Sequence, residues 1–313
     1  MPANSIQTSR GVYRFAVATS ICTVLLLMAG ALVTSNDAAD SVPDWPLAYG
    51  KLIPPLVGGI RFEYAHRVVA GIVAILTFAL AIWLARAAVQ PLARRLGWTA
   101  LALVLAQAVL GALRVKEVHP ILSATAHATL AQIFFITIFG LALYLSPWWR
   151  RDLPELDDSG SPRVRALASC TTLVILVQLV LGAAFRHGAF GTGQAALVPH
   201  LIGAGVVTAM VIWTGRAAKN RFRDNGDIRR GVALLHSFFG IQILLGFAAW
   251  WAVAIAARDM VQPTLLYVVL TVAHVLGGAL TLAASVLLTL TCFRLIRPVH
   301  SPAFEIQGFK QTR

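Results

Sequence analysis

Long uncharged runs alternate with short polar, mostly basic stretches along the whole chain. Eight runs stand out, at about 15–34, 64–86, 97–115, 121–146, 165–185, 197–215, 231–256 and 264–293. Each has about 20 residues or more, enough to cross roughly 30 Å of hydrocarbon at about 1.5 Å per residue. In lipid the backbone polar groups must bond within their own segment, so each run predicts a transmembrane helix. The first run contains the small-residue stretch Ala29-Gly30-Ala31. Its length exceeds the roughly 7–15 residues of a signal core, so it reads as a retained span. A polar stretch at 147–163 separates four spans from four, and a second linker, about 216–230, is basic and carries the turn pair Asn225-Gly226. The expected units are therefore 1–150 and 151–313.

Composition agrees with this pattern. Of the 313 residues, 58% are hydrophobic and 12% charged, against about 25% charged in a soluble domain. The formal charge of +13 comes with no basic patch interleaved with aromatics, so the lipid bilayer is the implied partner and nucleic acid is not. Seven basic residues (Lys51, Arg61, Arg67, Arg114, Lys116, Arg186 and Arg258) fall in one set of loops, and the other 19 of the 26 fall in the opposite set and the tails. This bias predicts a multi-pass protein of the cytoplasmic (inner) membrane with both termini in the cytoplasm.

The two halves share a repeat. Gln107-x-x-Leu-Gly111, Gln178-x-x-Leu-Gly182 and Gln242-x-x-Leu-Gly246 occupy odd spans, and Arg114 and Arg186 follow the first two. The even spans carry His66, His127, His200 and His274, all near the same end, which the charge bias places toward the outer face. Small residues trail several of them, as in His200-Leu-Ile-Gly-Ala-Gly205 and His274-Val-Leu-Gly-Gly-Ala279. The fold expected is all-α and integral to the membrane: eight transmembrane helices as two pseudo-symmetric four-helix bundles.

Ionisable side chains inside lipid usually serve a pathway, a proton relay or a cofactor. Neutral imidazole is also a common axial ligand of haem iron. Four histidines in matching places therefore point to two porphyrin sites, one in each bundle, with ligands projecting inward from facing helices. Packing alone explains the glycines but not the four histidines. Glycine and alanine near a ligand would also let a flat macrocycle approach the helix.

His200 and His274 have no acidic neighbour within a turn, which suits two-imidazole ligation of a resident haem b. His66 lies three residues after Glu63, on the same helix face, with Arg67 next. A carboxylate there reads either as a participant in proton transfer beside a bound haem or as an interfacial partner of arginine. His119 and His187 are expected to be solvated, His236 to be structural, and His300 lies in the tail. Cys22, Cys170 and Cys292 all fall in spans, so no exported disulfide is expected. There is no Cys-x-x-Cys-His for covalent haem, and no phosphate or dinucleotide loop. Reducing equivalents must then come from a quinol, a protein or a haem. The longest outer loop, about 35–62, is rich in proline and predicts a compact lid in which Trp45 covers an apolar ligand or anchors at the interface.

Taken together, Val42-Pro-Asp-Trp-Pro46 with Gly50 and Pro54-Pro55, Glu63-x-x-His66-Arg67, Arg186, and the histidines of alternate spans resemble the haem A synthase family from about residue 15 to 293. The resemblance implies oxidation of a methyl group of haem O to the formyl of haem A, with oxygen, for terminal oxidases. By the same resemblance His200 and His274 hold haem b, His66 and His127 flank the substrate haem, and Glu63 assists the chemistry. A haem O-producing farnesyltransferase and oxidase-assembly proteins are the implied partners, a quinol or another donor supplies electrons, and a homo-oligomer is left open. Many members carry a cysteine pair in the first outer loop and often another in the third, and this chain has neither. Two other readings remain: a diheme electron-transfer cytochrome b, and a haem-binding transport or assembly protein.

Overall fold

A computed structural model describes residues 10–191, 194–256 and 262–297. Eight α-helices organise them: α1 Arg10–Ser35, α2 Ile60–Arg86, α3 Pro91–Val115, α4 Pro120–Leu145, α5 Val164–Arg186, α6 Val198–Arg221, α7 Gly226–Trp251 and α8 Leu265–Leu295. All eight are long and apolar enough to cross a membrane, so this is a multi-pass membrane protein. Among the described residues there is no β-strand; the two bridges, Ala48 with Lys51 and Leu156 with Ile296, are isolated.

Every predicted span falls on a helix, yet several helices outrun their apolar stretch. α3 begins at Pro91, where the missing proline N–H is no loss, and its first turns carry Arg94 and Arg95. α6 continues past the lipid-compatible run through Arg216 and Lys219 to Arg221. Hydropathy marks the hydrocarbon depth, but helical hydrogen bonding does not stop at the headgroups. The linker expected at 216–230 therefore shrinks to 222–225. Its Asn225 caps α7, the side-chain oxygen accepting from the Ile228 N–H at 3.0 Å.

Neighbour relations repeat between the halves. In each, every helix packs on the next in sequence and the fourth closes back on the first: α1 to α4 in one half, α5 to α8 in the other. One core is built around Val73, Leu80, Leu84, Phe134, Ile138 and Leu141, the other around Ile175, Val211, Val232, Leu235, Leu282 and Leu288. Lipid tails are as apolar as leucine, so these cores are held by close packing and not by escape from water. The halves meet along α1, α4, α5 and α8, where Leu27 and Phe135 fit against the small Ala279 and Ala283.

The polar stretch at 147–163 is not a loose tether. Asp158, buried, accepts the Val164 N–H at 2.6 Å and pairs with Arg221 at 3.1 Å. Leu156 exchanges backbone bonds with the end of α8, donating to Leu295 at 2.8 Å and accepting from Arg297 at 2.9 Å. Composition marked the break between spans, while these contacts strap it across α5, α6 and α8.

Candidate functional site

The connection of each odd helix to the following even one brings a histidine near the start of the even helix against the end of its predecessor. His66 faces His127 with ring centres 6.4 Å apart and planes at 77°. His200 faces His274 at 6.3 Å and 82°. Two metal–imidazole bonds of about 2 Å each, plus the distance from each nitrogen to its ring centre, span roughly 6 Å, so each gap matches a single ion with an imidazole on either side. The Nδ1 atoms of His66, His127 and His274 are buried without a hydrogen-bond partner among the described residues. No described group of three or more His, Cys, Asp or Glu surrounds either gap. Two neutral nitrogens and no third protein ligand suit an ion whose other positions are already filled, as iron in a porphyrin is.

Each imidazole lies edge-on against a glycine of the preceding helix. A Cβ added to Gly30 would stand 3.2 Å from Cε1 of His66, one on Gly111 3.6 Å from His127, one on Gly182 3.0 Å from His200, and one on Gly246 3.1 Å from His274. The glycine of the Gln-x-x-Leu-Gly repeat is thus the surface on which the ring rests. Gly30 was missed in the sequence because α1 has Leu26 where the other odd helices have glutamine. Its signal was position alone: a glycine near the end of the one odd span that lacked the motif.

The glutamines reach across to the histidine-bearing helices. Gln107 donates to the His127 carbonyl at 3.0 Å and Gln178 to the His200 carbonyl at 2.9 Å. A Cβ on Gly203 would meet the Gln178 carboxamide oxygen at 2.1 Å, and one on Gly277 that of Gln242 at 2.3 Å. The small residues three places after His200 and His274 therefore make room for glutamine, which corrects the expectation that they clear a path for a macrocycle. Gly71 and Gly205, five places after their histidines, do face open space.

Glu63 is buried, and both of its oxygens are engaged: Oε2 accepts the Val42 N–H at 2.9 Å and Oε1 pairs with Arg67 at 2.6 Å. Arg67 also donates to the carbonyls of Asp44 at 2.7 Å, Leu47 at 2.9 Å and Val42 at 3.3 Å. Asp44 accepts the N–H groups of Tyr49 at 2.6 Å and Gly50 at 2.7 Å, and the Tyr49 hydroxyl donates to the Ser41 carbonyl at 2.8 Å. Gly50, at a φ of +68°, supplies a left-handed turn that β-carbon residues avoid. The N–H of Gly50, above all, holds the Asp44 carboxyl below the usual carboxylate range. Loop 36–59 is thus tightly organised without a regular element and clamped to α2 by one ion pair, and Trp45 sits exposed on it. Glu63 stands on the helix of His66 but is committed to this loop.

His119 is exposed, as expected. His187 is not freely solvated. It is half-buried at the end of α5, lining a cavity of about 210 Å³ with Thr34, Asp37, Ala39, Asp40 and Arg114. Burial, reinforced by Arg186 and Arg114, pushes its pKa down to about 4. The short loop after α5 reaches over the first half, a tertiary proximity that sequence spacing does not carry. His236 packs on Gly215 and bonds through Nδ1 to the Val232 carbonyl at 2.8 Å, a structural arrangement. His300 lies outside the described residues. Cys22, Cys170 and Cys292 are unpaired thiols on three different helices.

Comparison with known proteins finds similar sequences. A family model described as cytochrome oxidase assembly protein matches residues 60–194, the stretch with Glu63, His66, Gln107, His127, Gln178 and Arg186. A protein of Symbiobacterium thermophilum named Heme A synthase is 28% identical over 257 residues, covering 71% of this chain and 80% of that protein. Two others of the same name match shorter stretches. One from Exiguobacterium sibiricum is 29% identical over 52% of this chain and 55% of its own length. One from an Exiguobacterium species is 51% identical over 19% of this chain and 21% of its own.

Proposed function

The chain is a relative of the haem A synthases, and from that premise we propose that it is a membrane oxidoreductase of haem A biosynthesis, converting the methyl group of haem O to the formyl of haem A with oxygen as oxidant. The observation that carries this reading is the pair of facing-imidazole gaps, each of single-ion width, with a clamped lid attached to only one of them. His200 and His274 would hold a resident haem b. When bound, that group supplies one-electron transfer from a quinol or another donor. His66 and His127 would flank haem O as substrate, beneath the lid.

In this reading the residues of the first half bind, enclose and release. His66 and His127 orient the substrate through its iron. The Glu63–Arg67 pair seats residues 42–47 beside the site, keeping water out while the methyl group is oxidised. For Glu63 to move a proton or stabilise a cation beside the substrate, the bond to Arg67 or to Val42 must first open, which would couple its chemistry to lid movement. The basic-residue bias supports a cytoplasmic-membrane location with the histidines toward the outer face and both termini inside.

The test is expression of the full chain with a haem O producer, purification, and extraction of pigments with mass analysis. Haem b together with haem O, an alcohol intermediate or haem A is the expected result. Haem b alone, in both sites and without conversion, would leave an electron-transfer cytochrome. A protein without pigment would remove the reading altogether.

A further inference from the structure

Arg186 ends α5 one turn beyond Gly182, the glycine on which the His200 ring rests. Residues four apart share a helix face, so the guanidinium projects from the same face about 6 Å farther out. On α8, Tyr267 stands seven residues before His274, two turns outward on the same face. The Arg186 guanidinium carbon lies 5.9 Å from the Tyr267 ring centre, and Nη2 donates to the Ser35 hydroxyl at 3.3 Å. Ser35 is in turn fixed by the Thr271 hydroxyl at 2.8 Å. The guanidinium is thus held between α1 and α8, one turn beyond Gly182 and on the helix end that carries the His200 and His274 pair.

A guanidinium carries five N–H donors. Only the bond to Ser35 and the tyrosine ring face account for the side chain of Arg186, and no carboxylate pairs with it among the described residues. A half-buried cation held between three helices at the outer edge of a membrane protein is a costly arrangement without an anion. The matching arginine of the first half is placed differently. Arg114, one turn beyond Gly111, is already spanned by Asp40, with Nη1–Oδ1 at 2.9 Å and Nη2–Oδ2 at 3.2 Å.

We propose that Arg186, with Ser35 and Tyr267, forms a carboxylate subsite for the porphyrin held by His200 and His274, and that Arg114 offers no such subsite because Asp40 already occupies its fork. This rests on the assignment of a resident haem to the second half. A planar guanidinium takes a carboxylate through two parallel N–H···O bonds. The second half would thus grip its porphyrin at the iron and at an acid side chain. The first half would grip its porphyrin by iron and lid alone, which suits a ligand that must leave.

The test compares binding of haem b and of its dimethyl ester to the full chain produced under haem depletion, in the wild type and in Arg186→Gln. In the wild type the ester should bind the second half at least roughly tenfold more weakly, as befits loss of a charge-assisted bond. In Arg186→Gln the two should bind within about twofold of each other. The midpoint potential of the haem should fall in the variant, because a cation beside it is lost, while the six-coordinate low-spin spectrum persists. Arg186→Lys, which keeps the charge but not the fork, should give an intermediate ratio and serves if the glutamine variant does not accumulate. An ester penalty of the same size in wild type and variants overturns the proposal. So does an unchanged midpoint potential in Arg186→Gln. A wild-type chain that takes up neither haem nor ester defeats the underlying assignment instead.

Discussion

The two halves repeat one ring of helices and one histidine geometry, yet they differ in everything around the imidazoles. In the second half both odd helices present glutamine, and Gly203 and Gly277 open space for the carboxamides. The rings of His200 and His274 rest on Gly182 and Gly246 with room for a Cβ only at 3.0 and 3.1 Å. In the first half one odd helix has Leu26 in place of glutamine, and His127 stands looser, at 3.6 Å from a Cβ on Gly111. A 24-residue loop, 36–59, is clamped to α2 by Glu63 and Arg67, while the shorter segment that joins α5 and α6 has no such clamp among the described residues. One scaffold thus carries two facing-imidazole gaps with different surroundings, His127 alone standing clear of its glycine while His66, His200 and His274 are close to theirs. Duplicated bundles can divide labour by changing what surrounds the ligands while keeping the ligands themselves.

Substituting the histidines tests this comparison most severely. His274→Ala should abolish the resident haem b signal, whereas His66→Ala should keep it and leave haem O unconverted. Absorbance of the purified variants and extracted pigments decide between them, and loss of haem b in His66→Ala alone would reverse the two halves.

Arg67→Ala should have the next largest effect. Removing one partner of a buried pair leaves Glu63 charged and unpaired, at a cost of about 3 kcal/mol or more. The loss should concentrate in the lid. Amide exchange at residues 42–50 should accelerate strongly while the α5–α8 core keeps its protection, and uniform exchange across both halves would show that the clamp is not local.

Paired glycine substitutions sharpen the contrast further. Gly182→Ala forces His200 or its helix to shift and should destabilise the protein by about 1–3 kcal/mol. It should also perturb the haem b spectrum. Gly111→Ala meets His127 at ordinary contact distance and should be close to neutral. Thermal melts with the Soret band as a second probe compare them, and equal losses would erase the difference in tightness.

The smallest effect is the response to acid. His187 titrates at about 4 in the folded protein, below its ordinary 6.5, so protonation favours the unfolded chain. Its contribution is complete above about pH 6.5 and is lost progressively as the pH falls toward 4. Asp44, also shifted down, keeps its lid bonds until the pH drops below the ordinary carboxylate range. Melting temperatures between pH 8 and pH 4 should therefore decline less steeply in His187→Gln than in the wild type.

Much of the architecture could be read without coordinates. Apolar runs of bilayer length placed all eight helices, because lipid leaves the backbone no other way to satisfy its hydrogen bonds. The repeat of glutamine, glycine and histidine at matching places marked the helix ends where the histidines face each other. The reading failed where contacts join residues distant in the chain. The glycines after His200 and His274 face glutamine, and His187 packs over the other half. For Glu63 the sequence left two roles open, and the arginine pairing among them is present, with the Val42 N–H on the other oxygen supplied by tertiary contact.

By itself, then, the sequence determined the number of helices, the end that bears the histidines, and the residue types available there. Those follow from local rules: hydrocarbon thickness, helical period and the chemistry of imidazole. Only the tertiary structure decided which histidines face each other, which glycine props each ring, and which arginine is already matched by an acid. Such choices depend on how separate helices and loops approach across tens of residues, and no local period records them.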